Sequence, residues 1–165
     1  FPISRTPFGE LFAGGFLGTV LFTISYYVQS LRLDSVALLV SLPLLMLIAM
    51  ILTVNNTCDR IADKIAGRKT LSIVLPQIAI LVIMHLLVIV PFLLAILFAL
   101  LGMLPRPTII FMAVAFVPAW KYFKEMERRG FTLETKGPSM GTVSKIFLSY
   151  CLAFIAGMIG GLLFI

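Results

Sequence analysis

A chain of 165 residues that is 61% hydrophobic and only 12% charged is not a soluble globular domain, a class that runs at about 45–50% apolar and about 25% charged. So few polar groups cannot cover so much apolar surface, and lipid must be the solvent for most of it. A net charge of +6 would point a soluble protein towards nucleic acid; here the bases lie between apolar blocks, which reads as membrane topology and contact with anionic lipid, with no nucleic-acid partner.

A membrane span needs about 20 mostly apolar residues, and five segments are candidates. The first, residues 11–29, is rich in small residues (Ala13, Gly14, Gly15, Gly18), which let helices approach closely in lipid. A tight polar link over 30–34 leads to the second, residues 35–54. The third runs from near Ser72 to about Leu100, with Pro76 and Pro91 expected to start or kink it. Pro105-Arg106-Pro107 breaks the chain. The fourth, residues 108–120, is short unless it continues to Phe123, and the fifth covers 145–165. Each should be a helix, because open irregular backbone cannot lie against lipid. The expected fold is therefore an all-α polytopic membrane bundle of about five transmembrane helices, one transmembrane region over 1–165 with no soluble domain.

The positions of Lys and Arg set the expected orientation. If alternate links share a side, Arg5, the bases of 55–71 (Arg60, Lys64, Arg68, Lys69) and those of 121–145 (Lys121, Lys124, Arg128, Arg129, Lys136, Lys145) lie together, and only Arg32 and Arg106 lie opposite. That asymmetry puts the chain start and the links 55–71 and 121–145 in the cytoplasm and the C-terminus outside, in a multi-pass cell-membrane protein. The chain opens on Phe1-Pro2-Ile3 without an initiator methionine and without a signal-peptide pattern, so an incomplete chain is expected. Cys58 and Cys151 read as two unpaired thiols, with no disulfide or zinc framework.

The chemistry concentrates in Asn55-Asn56-Thr57-Cys58-Asp59-Arg60-Ile61-Ala62-Asp63-Lys64-Ile65-Ala66-Gly67-Arg68-Lys69-Thr70-Leu71. Asn55, Asp59 and Asp63 are four apart, so a continuing helix lines them on one face, with β-carbons about 5–6 Å apart. Two carboxylates and an amide oxygen suit Mg²⁺, which keeps several waters and binds through one or two carboxylates plus substrate phosphate. Lys64, Arg68 and Lys69 follow, placed to hold phosphate oxygens. The competing reading is an ordinary solvated helix end, with Asp59/Lys64 or Asp63/Arg68 as surface pairs worth little; spacing alone leaves both open.

The pattern Asn-Asn-x-x-Asp-x-x-x-Asp-x-x-Ala-Gly-x-x-Thr-Leu resembles the second aspartate-rich motif of the UbiA superfamily of intramembrane prenyltransferases, in particular its menaquinone branch, the 1,4-dihydroxy-2-naphthoate polyprenyltransferases. Pro2–Leu11 is similar to the segment opening that family's fifth helix, Tyr26–Gln29 to its end, and Met140–Lys145 to the entry of its last helix. The resemblance implies the second half of a nine-helix fold, transfer of a polyprenyl chain from polyprenyl diphosphate to an aromatic acceptor such as dihydroxynaphthoate, and Mg²⁺ as cofactor. Asp59 and Asp63 would be the catalytic metal ligands, acting through Mg²⁺–diphosphate, with Asn55 a further ligand or a partner of metal-bound water. Lys64, Arg68 and Lys69 would contact the diphosphate. The first aspartate-rich motif is not in this sequence, so the resemblance also implies a missing N-terminal half and a chain inactive by itself.

Other residues carry blander expectations. His85, alone in the third span, reads as a packed, hydrogen-bonded core residue. Arg5 and Glu10 read as an interfacial pair or substrate contacts, and Gln29 as structural. The link 121–145, with Glu125, Glu127 and Glu134, reads as a solvated interfacial segment, and Trp120 and Tyr122 as headgroup-level anchors. A transporter fragment is the main alternative, since proline-interrupted spans and an intramembrane His would suit it. The Asp and basic residues cluster at a helix end and not at mid-membrane, which speaks against it. A metal-dependent phosphatidyltransferase would need Gly-x-x-x-Asp-x-x-x-Asp, which the sequence lacks.

Overall fold

The computed structural model describes residues 3–163; Phe1 and Pro2, which open the chain, and Phe164 and Ile165, where the last span was expected to finish, lie outside the described residues. Seven helices follow a short turn at Ile3–Arg5: α1 Gly9–Ser30, α2 Ser35–Cys58, α3 Arg60–Ile65, α4 Leu71–Val74, α5 Gln77–Leu100, α6 Thr108–Arg129 and α7 Lys136–Leu163. Among the described residues there is no strand. Helices α1, α2, α5 and α7 are long and apolar enough to cross a membrane. Helix α6 has the length, but it is charged from Lys121 onwards. It nevertheless runs antiparallel along α7 from end to end. Gly157 meets Thr108 at one extremity, and Arg129 Nη1 reaches Thr142 Oγ1 at 3.5 Å near the other. Among the described residues five long helices thus lie side by side, four of them long and apolar enough to cross a membrane.

Helix α2 lies at the centre. Its Leu47, Met50 and Val54 pack with Met84, Val88 and Phe92 of α5, Met112 and Phe123 of α6, and Ile146 and Tyr150 of α7. Its start is set by Asp34, whose Oδ1 accepts from the Val36 amide at 2.8 Å, satisfying one of the donors that a helix N-terminus leaves orphaned. Helix α1 joins along a glycine edge. A β-carbon on Gly14 or Gly18 would stand 2.4 Å from the backbone of Leu45, so only glycine permits this approach of the two helices. The same helix contains a π-helical stretch, Gly15–Val20, which no sequence period announces.

Three boundaries differ from expectation. The third span begins at Gln77 and not near Ser72. Pro76 disfavours a helical residue before it, and Leu75 is extended (φ −96°, ψ 152°). Leu71–Val74 is therefore a separate turn. Pro91 sits within α5 without interrupting it. The segment 121–145 is mostly helix, with a connection over 130–135 only. Charged residues there extend helices beyond the apolar run, aided by pairs one turn apart such as Arg129–Glu125 at 3.0 Å and the contact of Lys124 with Glu127. Thr132 and Thr135 exchange side-chain and backbone hydrogen bonds to form the turn, and Pro138 falls in the first turn of α7, where proline is tolerated. Both cysteines are free.

Candidate active site

The helical path of α2 continues almost unbroken through the Asn-Asn motif. The Asp59 amide donates to Asn55 O at 3.0 Å and the Asp63 amide to Asp59 O at 2.8 Å, so Asn55, Asp59 and Asp63 stack at successive turns. Helix α3 then ends on Gly67, whose φ of +69° is the left-handed conformation that glycine adopts without a steric penalty. The Gly67 amide donates to Lys64 O at 3.2 Å and that of Arg68 to Asp63 O at 2.9 Å, the pairing of a glycine-terminated helix. This reversal folds Arg68 back, and its Nη1 meets Asp63 Oδ1 at 2.8 Å. The other oxygen, Asp63 Oδ2, is buried with no protein partner among the described residues.

Asp59 takes its partner from far along the sequence. Lys136, the first residue of α7, places Nζ 2.5 Å from Asp59 Oδ2. An Asp59–Lys64 pair is not formed: Lys64 points outward and is exposed, as is Lys69. The Lys69 amide instead donates to Arg5 O at 2.9 Å, tying the end of the motif to the start of the chain. The Arg5–Glu10 pair is also not formed. Arg5 is exposed, whereas Glu10 faces α2 and accepts from Asn56 Nδ2 at 2.9 Å. Asn56 Oδ1 in turn receives Asn55 Nδ2 at 3.4 Å. Thr57 shares a hydrogen bond of 2.9 Å with Ser72, which holds α4 against the motif.

These contacts bring Arg5, Glu10, the motif 55–69 and Lys136 to one end of the bundle, while Tyr26 and Asp34 meet at the other. A cleft of about 360 Å³ opens beside the motif, lined by Thr57, Cys58, Asp59, Arg60, Gln77 and Phe131 among others, within the size range of small-molecule sites. His85 lies elsewhere. Its Nδ1 bonds to Leu81 O at 2.8 Å, Nε2 stands 3.6 Å from Glu127, and its ring meets Phe123 edge-on, so it is packed and hydrogen-bonded as expected. Gln29 bonds within its own helix to Ser25 O at 3.2 Å. Trp120 stacks on Phe116, and Tyr122 lies beneath the Lys145 ammonium.

The donor set fits a hard divalent cation. Asn55, Asp59 and Asp63 offer oxygen only, and Asp63 Oδ2 is a buried acceptor for which the protein supplies no donor. No group of three His, Cys, Asp or Glu that could hold a metal ion by itself converges among the described residues, so a cation here would need further ligands from water or phosphate.

The profile of the UbiA prenyltransferase family matches residues 1–132. A stretch of 74 residues is 42% identical to a 1,4-dihydroxy-2-naphthoate octaprenyltransferase of Bacillus subtilis (strain 168), covering 45% of this chain and 24% of that protein. The match therefore spans about a quarter of the relative's length. No solved structure matches.

Proposed function

This chain belongs to the UbiA prenyltransferase family, and from that premise we propose that it serves in transferring a polyprenyl chain from polyprenyl diphosphate to an aromatic acceptor, with 1,4-dihydroxy-2-naphthoate the first candidate. The observation that carries the reading is the pair of carboxylates, Asp59 and Asp63, each held by a cation at one end of an apolar bundle, with Asp63 Oδ2 buried and without a protein partner among the described residues. In the reaction, the bond from the allylic carbon to the diphosphate oxygen breaks and its electron pair leaves with the diphosphate. A ring carbon of the acceptor then bonds to the allylic cation, and for a dihydroxynaphthoate the carboxylate departs as carbon dioxide.

Asp59 and Asp63, with Asn55, are the residues that would hold Mg²⁺ against the diphosphate. The ion supplies positive charge where negative charge develops on the leaving group. Arg68 pairs with Asp63 and Lys136 with Asp59, which offsets the two negative charges before substrate arrives. Lys64 and Lys69, exposed at the rim, would take phosphate oxygens with charge-assisted hydrogen bonds. The apolar helices keep water from capturing the cation.

The test is substitution in the full-length protein. Asp59→Asn and Asp63→Asn should each lower prenyl transfer by about 10²–10³-fold, roughly 3–4 kcal/mol, without loss of membrane insertion, and added Mg²⁺ should rescue them only in part. Asp34→Asn, at the other end of the bundle, should be nearly silent. Near-normal turnover by the two motif variants would reduce them to a solvated helix end. Assay with dihydroxynaphthoate against other phenolic acids identifies the acceptor. The motif end is assigned to the cytoplasm from its basic residues. Single cysteines replacing Arg68 and Lys136 should label from that side and one replacing Arg106 from the opposite side; labelling of all three from one side would sink the orientation.

A further inference from the structure

Two side chains that the reaction does not use directly, Glu10 and Asn56, form a line with Asn55. Asn56 Nδ2 donates to Glu10 Oε1 at 2.9 Å, and Asn55 Nδ2 donates to Asn56 Oδ1 at 3.4 Å. Glu10 and Asn56 are 3% and 2% exposed. Burying a carboxylate is expensive, and this one is poorly repaid, because Glu10 Oε2 is also buried and has no protein partner among the described residues. Holding α1 to α2 does not require it: the Gly14 and Gly18 edge already brings the two backbones into contact. What a carboxylate does, and an apolar or amide side chain does not, is impose a direction. It only accepts. Asn56 must therefore turn its NH₂ to Glu10 and its oxygen to Asn55. Asn55 must answer with its own NH₂, and its Oδ1 is left turned away from Asn56. Asn55 lies one turn before Asp59 and two before Asp63, joined to them by backbone hydrogen bonds.

We propose that Glu10 is a positioning residue: through Asn56 it fixes the amide of Asn55 with Oδ1 outward, as the third oxygen donor beside Asp59 and Asp63 for a divalent cation or its bound water. The proposal rests on the reading of those aspartates given above. It extends to this site the general behaviour of hydrogen-bond partners behind metal ligands, whose loss typically weakens metal affinity by about 10–100-fold.

The experiment measures Mn²⁺ binding by electron paramagnetic resonance, with inorganic diphosphate present, in the full-length protein in lipid nanodiscs. Glu10→Gln keeps the shape but can donate or accept, so the line loses its direction; the Mn²⁺ Kd should rise about tenfold or more. Asn56→Leu cuts the same line from α2 and should give the same loss, which keeps the test decisive if Glu10→Gln does not insert. Asn55→Asp offers oxygen whichever way it turns, so adding Glu10→Gln to it should change Kd less than twofold. A merely structural Glu10 would lower the unfolding temperature, leave Kd alone, and act equally in both backgrounds. Retention of Kd within twofold by Glu10→Gln, or an undiminished loss on top of Asn55→Asp, overturns the proposal. If Asp63→Asn abolishes Mn²⁺ binding while Glu10→Gln does not, only the positioning role falls. If Asp63→Asn binds Mn²⁺ normally, the metal reading falls and takes this inference with it.

Discussion

Helices α1 and α2 are similar in length and both apolar enough to cross a membrane, yet 44% of the apolar window of α2 is buried against protein and only 11% of that of α1. Helix α2 is wrapped by α1, α5 and α7, and its side chains reach the common core with α6. Helix α1 presents Phe12, Phe16, Leu21 and Ile24 outward and meets its protein neighbour along a glycine edge, with one polar contact, Glu10 to Asn56, beside it. The difference teaches that apolarity in lipid is not a commitment to a partner, since lipid tails solvate leucine as well as another helix does. Small residues that permit backbone contact, and polar residues that need an answer, are what bind one span to another.

The comparison can be broken at its largest expected effect by truncating equivalent side chains on the two helices. Leu47→Ala, in the centre of α2 and 1% exposed, should destabilise by about 2–5 kcal/mol. Leu21→Ala, on the outer face of α1 and 55% exposed, should stay within about 0.5 kcal/mol. Reversible unfolding in mixed micelles reads both; equal losses would mean that α1 is packed as tightly as α2. A smaller effect sharpens the point about small residues. Gly18→Leu drives a side chain into the Leu44–Leu45 backbone, from which even a β-carbon would be 2.4–2.8 Å away. It should cost about 1–3 kcal/mol and loosen the Glu10–Asn56 contact, seen as lower yield of a cross-link between cysteines placed on α1 and α2. Gly15→Leu, with open space around it, is the control and should leave that yield unchanged.

What was legible in the sequence follows the same division. The spans and the stacking of Asn55, Asp59 and Asp63 were readable because each depends on a local period, about 20 apolar residues for one and four-residue spacing for the other. Pro76 was readable as a boundary, although its effect on Leu75 moved the start of α5 past Ser72. The extension of α6 and α7 through 121–145 was hidden, because a charged helix end outside the membrane has the composition of a loop. The partners of Asp59 and Glu10 were hidden for a different reason. Lys136 is 77 residues from Asp59, and Asn56 is 46 from Glu10, and no local pattern encodes a contact at that separation. Asn56 itself was in view, but the doublet gave no sign that its second asparagine faces α1.

The π-helical stretch Gly15–Val20 bears on how this chain should be aligned with others. A turn closed by i→i+5 bonds holds one residue more than an α-turn, and each residue of an α-helix advances the face by about 100°. Everything on α1 before the stretch, Glu10 included, is therefore out of phase with Tyr26 and Gln29 by about one residue of rotation. A homologue whose first helix is regular throughout would match this one only across a single-residue gap, placed among Gly15–Val20. An ungapped alignment would superimpose one half of the helix correctly and assign the other half to the wrong side of the bundle.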